Sequence, residues 1–324
     1  MTERIQIEHI LCPTDFSVFS ERALRHATAL ARRFEARLTV LHVIPQWTPY
    51  THAPVYFPAP MLANPSLCRH VEEDLREAVE PAIQAGVPVQ TILREAEPWR
   101  EIQAVAEELA ADLLVMGTHG RGGFEQLLLG AVAEKVLRRA PCPVLTVCRE
   151  EGRTWEAPGL VRRIVCATDL SEASGRTVAY ALSLAAEYEA ALTVVHVLEG
   201  VASSESPAYK ELPETAALLR QVETTARQQL HQAIPGDARD WCDVKERVAL
   251  GRAHREVLRL AVEESADLIV MGARRHGLLA WTSMGSTLHH VVREASCPVL
   301  TVKPLLARAN AVNQEVGALA WNKA

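Results

Sequence analysis

The sequence predicts an α/β protein built from two tandem units, each an open, doubly wound parallel sheet of five strands with helices on both faces. Three observations predict it. Short, continuously apolar runs such as Leu113-Leu114-Val115-Met116 suit strands buried on both faces of a parallel sheet. Segments with apolar residues at helical spacing separate these runs, so strands and helices alternate along the chain. The pattern is also written twice. Asp267-Leu268-Ile269-Val270-Met271-Gly272 repeats Asp112-Leu113-Leu114-Val115-Met116-Gly117 at an offset of 155 (267 − 112), and Cys142-Pro143-Val144-Leu145-Thr146-Val147 returns as Cys297-Pro298-Val299-Leu300-Thr301-Val302. Residues 10–44 laid on 164–198 without a gap give 17 identities in 35, so the chain is a tandem duplication.

Taken in order, the first unit opens with a strand over 7–12, and Ser17 or Ser20 stands where a cap is wanted for a helix ending at Phe34. Residues 38–43 form a second strand. The stretch 45–65, with six prolines, can be neither regular helix nor central strand; it is a lid over a site or a plain surface excursion. A helix over 67–83 and a strand over 87–94 follow. Pro98 sits near the first turn of a helix running to about Ala110. The strand 113–116, a glycine-rich turn, a helix from Gly130 and a strand over 144–147 complete the unit. The second unit repeats this order with strands at 164–167, 192–197, 244–249 and 268–271, and helices at 174–188, 213–233 and beyond Gly251. These elements divide the chain into a first domain (1–150), a charged linker (151–160), a second domain (161–304) and a tail (305–324) whose role the residues do not disclose.

Length and composition agree with this division. A chain of 324 residues favours two domains, each large enough to bury a core without disulfides or metals. A net charge of −6 argues against non-specific nucleic-acid binding, and scattered basic residues offer no polybasic membrane patch. No apolar run approaches the roughly 20 residues of a membrane span, and the first ten residues lack a signal-peptide core. Seven cysteines stand apart with no C-x-x-C pair. Cys12 and Cys166 hold the same place in each first strand, as expected of reduced packing thiols in a cytoplasmic protein.

The chemistry is expected around residues 113–139. A strand, then Gly117, Gly120, Gly122 and Gly123, then a helix beginning at Gly130 together make an anion site, because unpaired amide N–H groups and the positive end of the helix dipole share one direction. An ordinary βα turn would also use glycines. In an open α/β sheet ligands bind beyond the carboxyl ends of the strands, and Asp15, Val43 and Gly117 all fall just past such ends. An aspartate there accepts hydrogen bonds from a ribose, holds a metal beside phosphates, or simply closes an Asx turn. His42 and His196, each flanked by valines at a strand end, read as packed structural residues. The Walker, nucleophile-elbow, zincin and kinase signatures are all absent.

The spacing Gly117-x-x-Gly120, nine residues, then Gly130 resembles the ATP-binding motif of the universal stress protein family, G-x-x-G, nine residues, G-[ST]. The flanks Pro13-Thr14-Asp15-Phe16-Ser17, Leu41-His42-Val43 and Cys142–Val147 are similar to that family too, and the likeness covers nearly all of both units. It implies Rossmann-like domains of the adenine nucleotide α-hydrolase type and ATP, with or without Mg2+, as ligand. By this resemblance Asp15 meets the ribose, the Val43 backbone the adenine, and Gly117, Gly120 and Gly130 the phosphates. Pro13, Met116, Ala131 and Val132 belong to the same set. The matching positions of the second unit are Asp169, Val197, Gly272, Gly285, Ser286 and Thr287. The family pairs through its last strand, which implies an antiparallel pairing of 144–147 with 299–302, an internal pseudo-dimer and room for a homodimer.

Both units depart from the motif. Ala131 replaces Ser or Thr, which removes a hydroxyl donor worth roughly 1–2 kcal/mol and keeps the backbone N–H. The second unit has Arg275 for the second glycine and Ala167 for Pro13, although Arg274, Arg275 and His276 could reach an anion with their side chains. The first unit is therefore the expected ATP site. The leading reading is a nucleotide-binding stress-response regulator acting through an unidentified protein partner; a slow Mg-dependent ATPase and a scaffold that has lost nucleotide binding are the alternatives.

Overall fold

The computed structural model describes residues 5–46, 65–120, 129–147, 161–199, 213–273 and 285–303. The first unit comprises β1 (His9–Thr14), α1 (Val18–Phe34), β2 (Arg37–Pro45), α2 (Pro65–Gln84), β3 (Val89–Ala96), α3 (Pro98–Glu108), β4 (Leu113–Gly117), α4 (Ala131–Arg139) and β5 (Val144–Val147). The second comprises β6 (Arg163–Thr168), α5 (Gly175–Tyr188), β7 (Ala191–Leu198), α6 (Pro213–Ala233), the short α7 (Ala238–Trp241), β8 (Val244–Leu250), α8 (Ala253–Glu263), β9 (Leu268–Gly272), α9 (Ser286–Glu294) and β10 (Val299–Val302).

The strands form one ten-stranded sheet in the order β3-β2-β1-β4-β5-β10-β9-β6-β7-β8. Every pairing within a unit is parallel, and the one between units, β5 with β10, is antiparallel, with Leu300 opposite Leu145. Joining the two short strands buries the inner edge of each half-sheet and leaves β3 and β8 as the outer edges. Because the joint is antiparallel, strands of the two units point in opposite directions. Their carboxyl ends, where ligands are expected, thus lie at opposite ends of the sheet.

Alternation along the strands assigns side chains to two cores. Ile10, Cys12, Leu38, Val40 and Val115 face α1 and α2 on one side, and their counterparts in the second unit face α5 and α6. Leu11, Leu41, Val43, Leu114 and Met116 face α3 and α4 on the other. Cys12 and Cys166 are fully buried free thiols, and burial pushes both up to about 12, far above any working pH.

The first strand runs two residues later than the apolar run suggests, His9–Thr14, because its ladder with β2 starts at His9 opposite Arg37 and continues to Thr14 opposite His42. Pro13 is tolerated there because the ladder with β4 involves only Ile10 and Leu11. Ser17 caps α1, its side chain accepting from the Ser20 N–H. The duplication extends to backbone conformation: Phe16 and Leu170, Glu35 and Glu189, and Ala110 and Ser265 all carry positive φ at equivalent positions. Asp112 and Asp267 open the repeated strand motif for a structural reason. Each carboxylate accepts two successive backbone N–H groups, of Glu8 and His9 or of Arg162 and Arg163, and so fixes the entry to β1 or β6.

Residues 47–64 of the proline-rich stretch, residues 148–160 with the linker 151–160, residues 200–212, and residues 304–324 with the tail 305–324 lie outside the described residues, as do Gly122, Gly123, Arg274, Arg275 and His276. Among the described residues no helix is long and apolar enough to cross a membrane.

Candidate functional site

In the order β3-β2-β1-β4-β5 the direction of winding reverses between β1 and β4, so the crevice lies beyond Thr14 and Gly117. Phe16, at φ 60°, turns the chain sharply after β1; a bulky residue in the left-handed region costs about 1–3 kcal/mol. The turn is held by Thr14 Oγ1, which accepts from the Phe16 N–H at 3.1 Å, and by Asp15 Oδ1, which accepts from the Ser17 N–H at 3.1 Å and the Ser17 hydroxyl at 2.6 Å. Asp15 is therefore an Asx-turn residue, as the sequence allowed. Its second oxygen, Oδ2, faces the loop after β4: a Cβ built on Gly120 would stand 2.7 Å from it. Asp15 and Gly120, 105 positions apart, share one small space that a side chain on Gly120 would fill.

The helix side of the crevice is set by Gly130. Its N–H donates to the Thr118 carbonyl at 2.9 Å, and it forms the N-cap of α4 with no side chain capping the helix. The first backbone N–H groups of α4, those of Ala131 and Val132 among them, lack intrahelical partners by helix geometry. Val43 and Met116, both buried, lie on the sheet face that carries α3 and α4, and alternation from Leu11 puts Pro13 on that face too. Thus Asp15 and Gly120 meet beyond the end of β1, the Gly130–Thr118 bond ties the loop after β4 to the start of α4 with Ala131 and Val132, and Pro13, Val43 and Met116 share the sheet face that carries α3 and α4. Gly117 differs. It is the last residue of β4, and a Cβ there would stand 2.9 Å from Phe19 Cβ, so its packing against α1 accounts for the glycine.

His42 is structural. Its Nδ1–H donates to the Thr14 carbonyl at 2.8 Å and its ring packs on Phe16 at 4.5 Å, and His196 repeats the bond to the Thr168 carbonyl at 3.0 Å.

The second unit keeps the frame and changes its lining. Asp169 makes the same Asx turn to Ser171 but is exposed, whereas Asp15 is half-buried. Gly285 caps α9 as Gly130 caps α4, followed by Ser286 and Thr287 in the first turn. Gly272 packs against Thr177 Oγ1, at 3.0 Å from a built Cβ, in place of a phenylalanine. A 3-10 turn (Glu172–Ser174) precedes α5, which begins only at Gly175, and no side chain caps that turn. Val197, like Ala167, is half-buried where Val43 is buried.

The first unit offers groups that could hold an adenine nucleotide: the half-buried Asp15 carboxylate beside Gly120, and the N-terminus of α4, which no side chain caps. Among the described residues no group of three or more His, Cys, Asp and Glu side chains is arranged to hold a metal.

Fold and crevice together define a tandem, doubly wound α/β protein with one switch-point crevice per unit. The sequence profile of the Universal stress protein family matches residues 6–147 and again 161–303, and the chain belongs to that family. A universal stress protein of Methanocaldococcus jannaschii is 37% identical over 138 residues, covering 43% of this chain and 80% of that protein. One of Mycolicibacterium smegmatis is 27% identical over 307 residues, covering 91% of this chain and 97% of that protein, and is therefore similar through both units. The structure of a universal stress protein from Archaeoglobus fulgidus shares the fold, with a TM-score of 0.63 at 23% identity over 91% of this chain and 96% of that one.

Proposed function

We propose that this protein binds ATP or a closely related adenine nucleotide in its first domain, and that occupancy, rather than rapid turnover, sets the surface it offers to a regulatory protein partner in the stress response. The observation that carries this reading is the meeting of the Asp15 carboxylate, Gly120 and the uncapped α4 N-terminus at the switch point of strand order. In this reading Asp15 accepts from the ribose, the Val43 backbone pairs with adenine, and Gly120, Gly130, Ala131 and Val132 present backbone to phosphate, Mg2+ arriving with the nucleotide. The second domain acts as partner in an internal pseudo-dimer joined at β5 and β10; a homodimer of whole chains is not required, because each half-sheet already has its inner edge covered. Domain limits of 1–150 and 161–304 and a cytoplasmic location complete the proposal.

The test is equilibrium binding of ATP to wild type, Asp15→Asn and Asp169→Asn. Asn keeps an acceptor for Ser17 and removes the charge beside Gly120. Losing one charge-assisted hydrogen bond predicts a roughly 10- to 100-fold weaker ATP affinity for Asp15→Asn. Asp169→Asn is expected to bind like wild type. Equal affinity of all three would remove ATP from the first domain.

A further inference from the structure

The loop that closes the crevice in the first unit, Gly117-Thr118-His119-Gly120, is held by a contact that the resemblance does not include. The His119 ring packs on Phe19, in the first turn of α1, with centroids 5.2 Å apart. Its Nδ1 lies 2.9 Å from Thr118 Oγ1. Thr118, 1% exposed, donates its N–H to the Val147 carbonyl at 3.2 Å and accepts at its own carbonyl from the Gly130 N–H. A Cβ on Gly130 would meet the Thr118 carbonyl oxygen at 3.1 Å and His119 Cα at 3.6 Å. Phe19 and His119 thus tie together the three pieces of chain that border the crevice: the start of α1, the loop after β4 and the N-cap of α4.

The duplication makes this contact informative. In the second unit Phe19 becomes Ala173, Thr118 becomes Ala273, His119 becomes Arg274 and Gly120 becomes Arg275, at the offsets of 154 and 155 that align the rest. The side chains at Phe19, Thr118, His119 and Gly120 have all changed, while the strand before them (Leu268–Gly272), the backbone bond from the Ala273 N–H to the Val302 carbonyl at 2.8 Å and the N-cap glycine after them (Gly285) are kept. The first turn of the preceding helix has changed as well, to the 3-10 turn Glu172–Ser174. Generic βα packing would not require these side chains to disappear as a set.

We propose that Phe19 and His119 are positioning residues that preshape the loop after β4 for the phosphate end of the nucleotide, and that their joint loss, beside Arg275 in place of Gly120, makes the second unit a non-equivalent site. This rests on the nucleotide reading of the first unit. The ring of Phe19 fixes His119, His119 fixes Thr118, and Thr118 fixes Gly130. The backbone N–H groups therefore face the crevice before the ligand arrives, and binding is spared the entropy of ordering them.

The test uses Phe19→Ala, which keeps the Cβ that packs on Gly117 and installs the second unit's own residue, with Phe19→Tyr as the aromatic rescue. Hydrogen exchange of the Thr118, His119 and Gly120 amides is read first, on the ligand-free protein. The linkage predicts faster exchange in Phe19→Ala and wild-type exchange in Phe19→Tyr; unchanged exchange in Phe19→Ala overturns it. Affinities for ATP and for adenosine are then compared. Removing an aromatic contact of this kind predicts an ATP affinity about 3- to 10-fold lower in Phe19→Ala, adenosine affinity within about twofold of wild type, and recovery in Phe19→Tyr. An equal loss for both ligands makes the ring a general fold support and overturns the positioning role. If wild type binds neither ligand while exchange responds as predicted, the nucleotide reading fails and the phosphate-shaping role falls with it, leaving only the loop linkage.

Discussion

His26 sits on the core face of α1, 5% exposed, and burial together with the neighbouring Arg25 lowers it from 6.5 to about 4. Its ionisation therefore opposes folding in acid. An imidazole whose folded pKa is depressed binds its proton more weakly in the native state than in the unfolded chain. Stability is lost as pH falls below about 6.5, and the loss is complete once pH is below about 4. That displacement corresponds to about 3 kcal/mol in full, most of which is felt by pH 4.5. Substituting His26→Leu removes this titration while filling similar apolar space. The assay is urea unfolding at pH 7.5 and pH 4.5, followed by exchange protection of α1. Wild type should lose about 2–3 kcal/mol more than the variant between the two pH values. His9 is also lowered, by burial first and then by Arg37, so some acid dependence will persist in the variant. If wild type and variant lose stability in parallel, His26 does not titrate as described.

Three further predictions come from the frame. Asp112→Ala deprives the Glu8 and His9 N–H groups of their acceptor and should cost about 1–3 kcal/mol in urea unfolding, as should Asp267→Ala; a change below a few tenths would mean water replaces the carboxylate. Leu300→Ala removes a buried side chain, 4% exposed, opposite Leu145 at the joint between units and should cost about 2–5 kcal/mol; calorimetry should then resolve two transitions, whereas one cooperative transition would show that the joint does not couple the units. Arg94→Ala breaks pairs with Glu101 and Glu108 that lie largely in solvent, and thermal melts should report less than about 1 kcal/mol.

The strands and their alternation with helices were legible because parallel strands buried on both faces are written as apolar runs, and because the duplication marks each run twice. Of the candidate site, Asp15 and the glycine spacing pointed to the contact that the structure shows between the Asp15 carboxylate and Gly120. Sequence did not separate the reasons for the glycines: Gly117 yields to Phe19 on α1, Gly120 to the Asp15 carboxylate, and Gly130 to the Thr118 carbonyl. Each reason is a contact between residues distant in the chain, which periodicity cannot express. The role of Asp112 was likewise hidden, since nothing in Asp112-Leu113 announces that the carboxylate reaches back to the entry of β1. Phe19 and His119 carried one signal that could have been read, their simultaneous change to Ala173 and Arg274 in the repeat. The small shifts of β1 and β3 arise because hydrogen-bond ladders, rather than side-chain hydrophobicity, fix where a strand begins.

The central claim is that one crevice of the two holds an adenine nucleotide. The most direct measurement is to denature the purified full-length chain, remove the protein, and identify and count the released nucleotide by chromatography, beside an Asp15→Asn preparation. About one ATP per chain, lost in Asp15→Asn, is the predicted result. Two per chain would contradict the asymmetry drawn from Arg275 and Ala173. No nucleotide, with no thermal stabilisation on adding Mg-ATP, would contradict nucleotide binding itself.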